Sequence, residues 1–139
     1  MSGFIQGLVQ RLQSVDGLPM RVMHNSAQIL VTMQVAHTRQ QTVKMTLRSL
    51  PAGLGYAVCF QSRAGFAKSP ESVRSALAAN NHVALGGFCL DTTTSPPSID
   101  LVYNLVADEL DFDEFLTALQ LVAHHADAIE QRTSGKDDF

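Results

Sequence analysis

The stretch that decides the fold runs from Ser98 to Glu130. It opens with Ser-Ile-Asp-Leu-Val-Tyr-Asn-Leu-Val (98–106), passes through an acidic turn, and continues into a long segment with apolar side chains at helical spacing. Apolar and polar side chains alternate through the opening segment, which is typical of a β-strand. Val102 and Val106 make its second face partly apolar, so we expect a helix or another subunit to cover that face as well.

A helix is predicted after the acidic turn and should end near Glu130. Asp111 is suited to cap its first turn, and Glu114 stands three residues later, which is a capping-box spacing. Asp113 and Glu114 also place negative charge at the positive end of the helix dipole. A paired-carboxylate active site is the alternative interpretation of these acids, and no neighbouring residue favours it. The stripe that should face the core consists of Phe112, Phe115, Leu119, Val122, Ala126 and Ile129.

The length and composition favour one small domain. The chain has 139 residues, enough for a single core, which we place in residues 1–132, with a frayed tail at 133–139. Hydrophobic residues make up 45% and charged residues only 17%, below the usual quarter, so part of the surface is expected to be covered in a complex. The net charge of −3 argues against bulk attraction to nucleic acid.

The charge is unevenly divided along the chain. Eight basic and three acidic residues precede Ser98, whereas two basic and ten acidic residues follow from there on. This asymmetry would help two copies, or a copy and a partner, to dock with opposite charges facing. The alternative is that these charges mix in space once the chain folds.

Cysteine usage and hydropathy predict a cytoplasmic protein. Cys59 and Cys89 both lie in apolar strand patterns, where free thiols in a reducing compartment are the expected state. The first fifteen residues lack the basic start of a signal peptide. No apolar run approaches the roughly 20 residues that a membrane helix needs, so no membrane association is expected.

The order of the predicted elements indicates an α+β fold, in which an antiparallel sheet is packed by helices on one side. The order is helix, four strands, helix, two strands, helix. Gly86-Gly87 lies within the fifth strand and indicates a bulge or a close backbone approach. The elements before the opening strand are predicted at 3–14 (helix), 20–24, 28–36, 41–50 and 55–62 (strands), 63–69 (loop), 70–79 (helix) and 83–90 (strand).

No motif in the sequence indicates catalysis, a cofactor or a metal. His124 and His125 are adjacent, so a helix directs them about 100° apart and they cannot share one metal ion. No G-x-S-x-G segment or C-x-x-C pair is present. We therefore expect a protein that is not an enzyme. The alternative is a small-molecule-binding domain or enzyme with a pocket between sheet and helices, whose polar groups would come from Cys59, Cys89, His124 or Asp127.

The C-terminal half resembles a known family. The residues that carry the resemblance are Asn80-Asn81, the segment Val83-Ala84-Leu85-Gly86-Gly87-Phe88-Cys89-Leu90-Asp91, Ile99-Asp100-Leu101, and the helix start Leu110-Asp111-Phe112-Asp113-Glu114-Phe115. Together they resemble small bacterial YbjN-like proteins, which are related to class I type III secretion chaperones of the Tir-chaperone type. The resemblance implies an α+β fold, a homodimer, and either binding of an unfolded partner segment or a regulatory role.

These observations favour a non-enzymatic, chaperone-like protein-binding module. An extended segment of a protein partner would add to a sheet edge or lie across apolar pockets. The residues expected to bind the partner are Phe4, Leu8, Leu12, Ile29, Val31 and Met33. The two strands at 83–90 and 98–106, with the helix at 70–79, are expected to form a homodimer interface. The interface residues named by this expectation are Leu85, Phe88, Leu101, Val102 and Tyr103.

Overall fold

One antiparallel sheet of six strands and three α-helices make up the computed structural model, which describes residues 2–108 and 110–134. The strands lie in the order β1-β2-β3-β4-β6-β5, and every neighbouring pair is antiparallel. The prediction of an α+β fold with an antiparallel sheet is confirmed. The elements are α1 (Ser2–Gln13), β1 (Met20–His24), β2 (Gln28–Ala36), β3 (Arg39–Ser49), β4 (Tyr56–Phe66), α2 (Pro70–Ala79), β5 (Gly87–Asp91), β6 (Ser98–Val106) and α3 (Phe112–Ser134).

Polar side chains fix where α2 and α3 begin. The Ser69 hydroxyl accepts a hydrogen bond from the backbone N–H of Ser72 at 3.2 Å, and Pro70 occupies the first helical position, where no N–H is needed. The Asp111 carboxylate accepts from the N–H of Asp113 at 2.7 Å. These contacts satisfy backbone donors that a helix start leaves without partners, so both helices begin where the sequence predicts.

The core lies between α3 and one face of the sheet. α3 crosses β4 and also packs on β3 and β6. The ring centroids of Phe60 on β4 and Phe115 on α3 are 5.3 Å apart, and both side chains are fully buried. Such tilted aromatic pairs add to the stabilisation that burial alone provides. The other α3 side chains in this core are Ala118, Leu119, Val122, Ala123 and Ala126.

The same face of the sheet is covered towards β1 by α1. Ile5, Leu8, Val9 and Leu12 are buried on one side of α1 and join the main hydrophobic cluster. Strand β2 contributes Ile29, Val31 and Met33 to that cluster, and α1 contacts both β1 and β2. The apolar side of α1 is therefore covered by the sheet of the same chain.

The strand predicted at 83–90 is shorter and later than expected. It begins at Gly87, because Gly86 has φ +75° and turns the chain just before it. Asn80, at the end of α2, bonds to the outer side of this strand. The N–H of Phe88 donates to Asn80 Oδ1 at 2.6 Å, and Asn80 Nδ2 donates to the carbonyl of Phe88 at 3.4 Å. The expected close backbone approach is present, at Gly86.

Three other boundaries differ from the predicted ones by more than one residue. Strand β4 continues to Phe66, through a register shift between Arg63 and Gly65, where a loop was predicted at 63–69. Strand β3 begins at Arg39, two residues earlier than expected. Helix α3 extends to Ser134, which includes the first two residues of the predicted tail, and the rest of that tail lies outside the described residues.

Gly86 provides a test of the turn that starts β5. A Cβ at this position would lie 2.2 Å from the carbonyl oxygen of Val102, and φ +75° strains any L residue. We expect Gly86→Ala to lower the free energy of unfolding by at least about 2 kcal/mol in chemical denaturation. The matched control is Gly7→Ala, where a Cβ meets nothing within 4 Å and removal of a helical glycine should raise the free energy of unfolding by about 0.5–1 kcal/mol. Equal effects of the two substitutions would contradict this account.

Candidate functional site

A groove runs between α1 and the connection from β6 to α3. We call it the α1 groove, and its volume is about 450 Å³. It is closed on one side by the helix and on the other by the backbone that leaves the sheet. The lining residues are Gly3, Phe4, Gly7, Leu8, Arg11, Ala107, Asp108 and Leu110.

Two glycines keep the α1 groove open. Gly3 and Gly7 are four residues apart and therefore lie on the same side of α1. A Cβ added to either would meet no atom within 4 Å, so the absence of side chains here is not required by packing within the chain. A glycine in a helix costs about 0.5–1 kcal/mol relative to alanine. Larger residues at positions 3 and 7 could therefore fill the groove without loss of stability.

Opposite charges stand beside the apolar walls of the α1 groove. The guanidinium carbon of Arg11 lies 4.1 Å from the ring centroid of Phe112, a cation–π contact that joins α1 to the first turn of α3. Asp108 packs against Gly55, where φ is +92° and an added Cβ would overlap the carboxylate. A bound segment would therefore meet apolar surface together with one cation and one anion.

Exposed apolar side chains border the same end of the sheet. Leu54, Tyr56 and Val106 are 66%, 42% and 57% exposed. Tyr56 adjoins the groove, because the N–H of Ala107, which lines it, donates to the carbonyl of Tyr56 at 2.8 Å. Val106 points to the opposite face of the sheet, since it follows Leu105, whose partner Val58 is in the core. An exposed apolar side chain beside an open groove is a feature that interaction sites often show.

The structure separates the six residues expected to bind a partner into two groups. Phe4 and Leu8 line the α1 groove. The other four belong to the chain's own core and are not accessible to a partner, because α1 packs directly on β2; they are Leu12, Ile29, Val31 and Met33. The expectation is corrected for these four residues, since the two surfaces assigned to a partner cover one another.

The residues predicted for the dimer interface fall into a fully buried group and a half-buried group. Phe88 and Leu101 are 5% and 0% exposed within a single chain, so their side chains cannot contribute to a contact between copies. Tyr103 is half-buried with its ring centroid 6.3 Å from that of Phe60, on the core side. Leu85 and Val102 are half-buried.

Two other apolar side chains are exposed at the β5 edge of the sheet. Leu77 on α2 is 57% exposed and Leu90 on β5 is 44% exposed, and the two elements contact each other. Neither residue was named for the interface, although both lie in the segments expected to form it.

The polar residues proposed for a small-molecule or catalytic pocket do not converge. Asp127 on α3 is held by Arg39, whose Nε and Nη2 donate to its carboxylate at 3.0 and 2.9 Å. His124 is exposed. Cys59 and Cys89 pair with Asn104 and Asp100 of β6, on the face of the sheet opposite the helices. The four groups therefore do not form one site.

The helix-free face of the sheet carries a buried carboxylate. Asp100 is buried, accepts a hydrogen bond from Gln61 Nε2, and lies 3.9 Å from Arg63 Nε. Partial desolvation raises the pKa of the neighbouring Cys89 thiol, although the residue as a whole is exposed, and the negative charges of Asp100 and Asp91 raise it further. Hydrogen bonds from Thr93 lower the pKa of Asp91. A thiol with a raised pKa is a poor nucleophile, which argues against a reactive role for Cys89.

Sequence reasoning missed most of the α1 groove. Gly3, Gly7, Asp108 and Leu110 were not predicted to bind a partner, although two glycines four residues apart on a predicted amphipathic helix indicate a helix side that lacks side chains. Asp108 and Leu110 carried no signal, because their position beside α1 depends on how the two ends of the chain meet.

Comparison with known proteins does not assign this chain to a family. No protein-family model, curated protein or solved structure matches it. None of the helices among residues 2–108 and 110–134 is long and apolar enough to cross a membrane. Within the same residues there is no group of three or more His, Cys, Asp or Glu side chains that could hold a metal ion.

Thiol alkylation tests the environments of the two cysteines. Cys59 is buried and Cys89 is exposed, so we expect iodoacetamide to modify Cys89 alone in the folded protein and both thiols in denaturant, as read by mass spectrometry. Because its pKa is raised, Cys89 should react more slowly than free cysteine near neutral pH and accelerate as the pH increases. Asp91→Asn removes one of the charges that raise this pKa and should speed the reaction, whereas Glu71→Gln serves as the control. Fast modification of Cys59 in the native state would contradict the structure.

Proposed function

We propose that this protein is a non-enzymatic protein-binding module, chaperone-like or regulatory, that binds an extended segment of a partner protein as a homodimer. The observation that carries the proposal is the α1 groove, which is open, partly apolar and bordered by the exposed side chain of Tyr56. The resemblance of the C-terminal half to YbjN-like proteins and class I type III secretion chaperones supports the same role. The expected site of action is the cytoplasm, where the two unbridged cysteines would stay reduced.

The α1 groove suits one or two apolar anchor residues of a partner. Phe4, Leu8 and Leu110 supply apolar walls, and the glycines allow the partner to approach the helix backbone closely. Exclusion of water from such a pocket contributes about 25 cal/mol per Å² of apolar surface. Arg11 and Asp108 provide charges that would fix the direction of the bound segment.

Assembly into a homodimer is proposed through the β5 edge. Leu77 and Leu90 expose apolar surface on adjoining elements, and Leu85 and Val102 retain partial exposure. A two-fold axis at this edge would bring the apolar patch of one copy onto the same patch of the other. The α1 groove lies along α1 and the end of β6, so dimerisation at β5 would leave it open.

Filling the groove tests the binding site. A displayed peptide library would first provide ligands, whose affinities are then measured by fluorescence anisotropy. Gly7→Leu places a side chain in the groove where the chain has open space, so we expect at least about tenfold weaker binding with an unfolding midpoint no lower than that of the wild type. The matched control is Gln6→Leu, which adds the same side chain to an exposed position of α1 that does not line the groove.

Two results would count against the groove as the binding site. One is a library that yields no peptide whose affinity falls in Gly7→Leu. The other is an equal loss of affinity in the Gln6→Leu control, since that substitution leaves the groove unchanged.

Light scattering and sedimentation test the dimer. We expect the wild-type protein to have the mass of two chains at micromolar concentration, with a contact that buries at least about 1,000 Å² in total. Leu77→Asp and Leu90→Asp should each shift the mass to that of one chain, because a buried uncompensated carboxylate is costly. Leu54→Asp, at an exposed position away from this edge, is the control. A single-chain mass for the wild type would refute the proposed dimer.

A further inference from the structure

A second cavity lies between α2, β5 and the last turns of α3. We call it the α2–α3 cleft, and its volume is about 310 Å³. It is separate from the α1 groove and shares no lining residue with it. The residues that line it are Ala79, His82, Val83, Phe88, His125, Ala128, Ile129 and Arg132.

The lining combines an apolar surface with nitrogen-bearing side chains. Ala79, Val83, Phe88, Ala128 and Ile129 supply the apolar part, and Phe88 is itself a core residue, so this wall is rigid. The polar part consists of His82, His125 and Arg132. Ligand pockets are typically largely apolar with a few polar groups that fix orientation, which is the composition found here.

The polar groups of the cleft favour a negatively charged ligand. Among the lining residues that the structure describes there is no Asp or Glu, and the nearby Asp127 is held by Arg39. His125 lines the cleft, and its Nε2 atom is buried without a hydrogen-bond partner within the protein, so a bound group that reaches it would satisfy this nitrogen. Arg132 carries a permanent positive charge with a planar donor fork that matches a carboxylate.

We propose that the α2–α3 cleft binds a small monocarboxylate with an apolar body, such as a short aliphatic or aromatic acid. The carboxylate contacts Arg132 and the histidine nitrogens, and the body packs on Val83, Ala128 and Ile129. The volume is at the lower end of the roughly 300–1,000 Å³ common for ligand sites, so the ligand is small. A bare phosphate would use the cations and leave five apolar side chains uncovered. A cationic ligand would be repelled by Arg132.

The probe for this site is phenylacetate, and its neutral counterpart is phenylacetamide. In ¹⁵N–¹H spectra of the full chain, we expect millimolar phenylacetate to shift the amide resonances of residues 79, 82–83, 88 and 125–132, and phenylacetamide to shift them far less. Inorganic phosphate serves as the second comparison. Equal shifts with acid and amide, shifts with phosphate as large as those with phenylacetate, or no saturable shifts at these residues would each overturn the proposal.

Three variants separate specific binding from a general effect on the fold. Arg132→Gln removes the charge from an exposed helix position and should weaken binding about tenfold, the loss expected for a charge-assisted hydrogen bond. Ala128→Leu, also at an exposed position, should block the cleft and abolish the shifts. Arg74→Gln removes an exposed arginine of α2 that does not line the cleft, and it should bind as the wild type does. Unchanged affinity in Arg132→Gln, or an equal loss in Arg74→Gln, would overturn the assignment.

Discussion

The packing of α3 across the middle of the sheet is the constraint on which the rest of the structure depends. Phe115 lies against Phe60 of β4, a strand with neighbours on both sides, and the apolar stripe of α3 continues along the same line. The Arg39–Asp127 ion pair ties the later part of the helix to the start of β3. Because Asp127 is buried, removal of Arg39 would leave an uncompensated charge, so this pair also restricts how α3 can lie. The two cavities lie near opposite ends of α3, the groove at the connection that precedes its first turn and the cleft at its last turns.

Local signals predicted most of the element boundaries. Strands β1, β2 and β6 and helix α2 have the predicted ends, because hydrophobic alternation and the Ser69-Pro70 helix start act over a few residues. The start of β5 was not predictable in this way. Val83, Ala84 and Leu85 have strand-like character, but the turn at Gly86 and the contact of Asn80 with Phe88 both depend on where α2 comes to rest. The position of α2 in the fold, and not the strand propensity of residues 83–85, therefore decides where β5 begins.

The prediction of the partner-binding residues shows what a hydrophobic pattern can and cannot predict. An apolar helix face and an apolar strand face were each recognised correctly, and each was assigned to a partner. In the structure the helix face of α1 lies on the strand face of β2, so each satisfies the other. Hydrophobic pattern predicts that a surface is covered, but it does not say by what. The α1 groove and the α2–α3 cleft arise from elements distant in the sequence, so their composition could be read only once the chain was folded.

The contact of Asn80 with Phe88 makes the two edges of the sheet unequal. Phe88 and Leu90 are the only β5 positions whose backbone groups point away from β6, and the Asn80 amide already occupies those of Phe88. Another strand would find a single residue to pair with, too little for a ladder. At the two ends of β1, Asn25 and Pro19 hydrogen-bond to β2. Because backbone groups alternate in direction along a strand, three alternate residues of β1 point their N–H and C=O groups away from the sheet. Any growth of the sheet by strand addition, whether by a partner chain or in aggregation, therefore has a polarity: it proceeds from β1 and stops at β5.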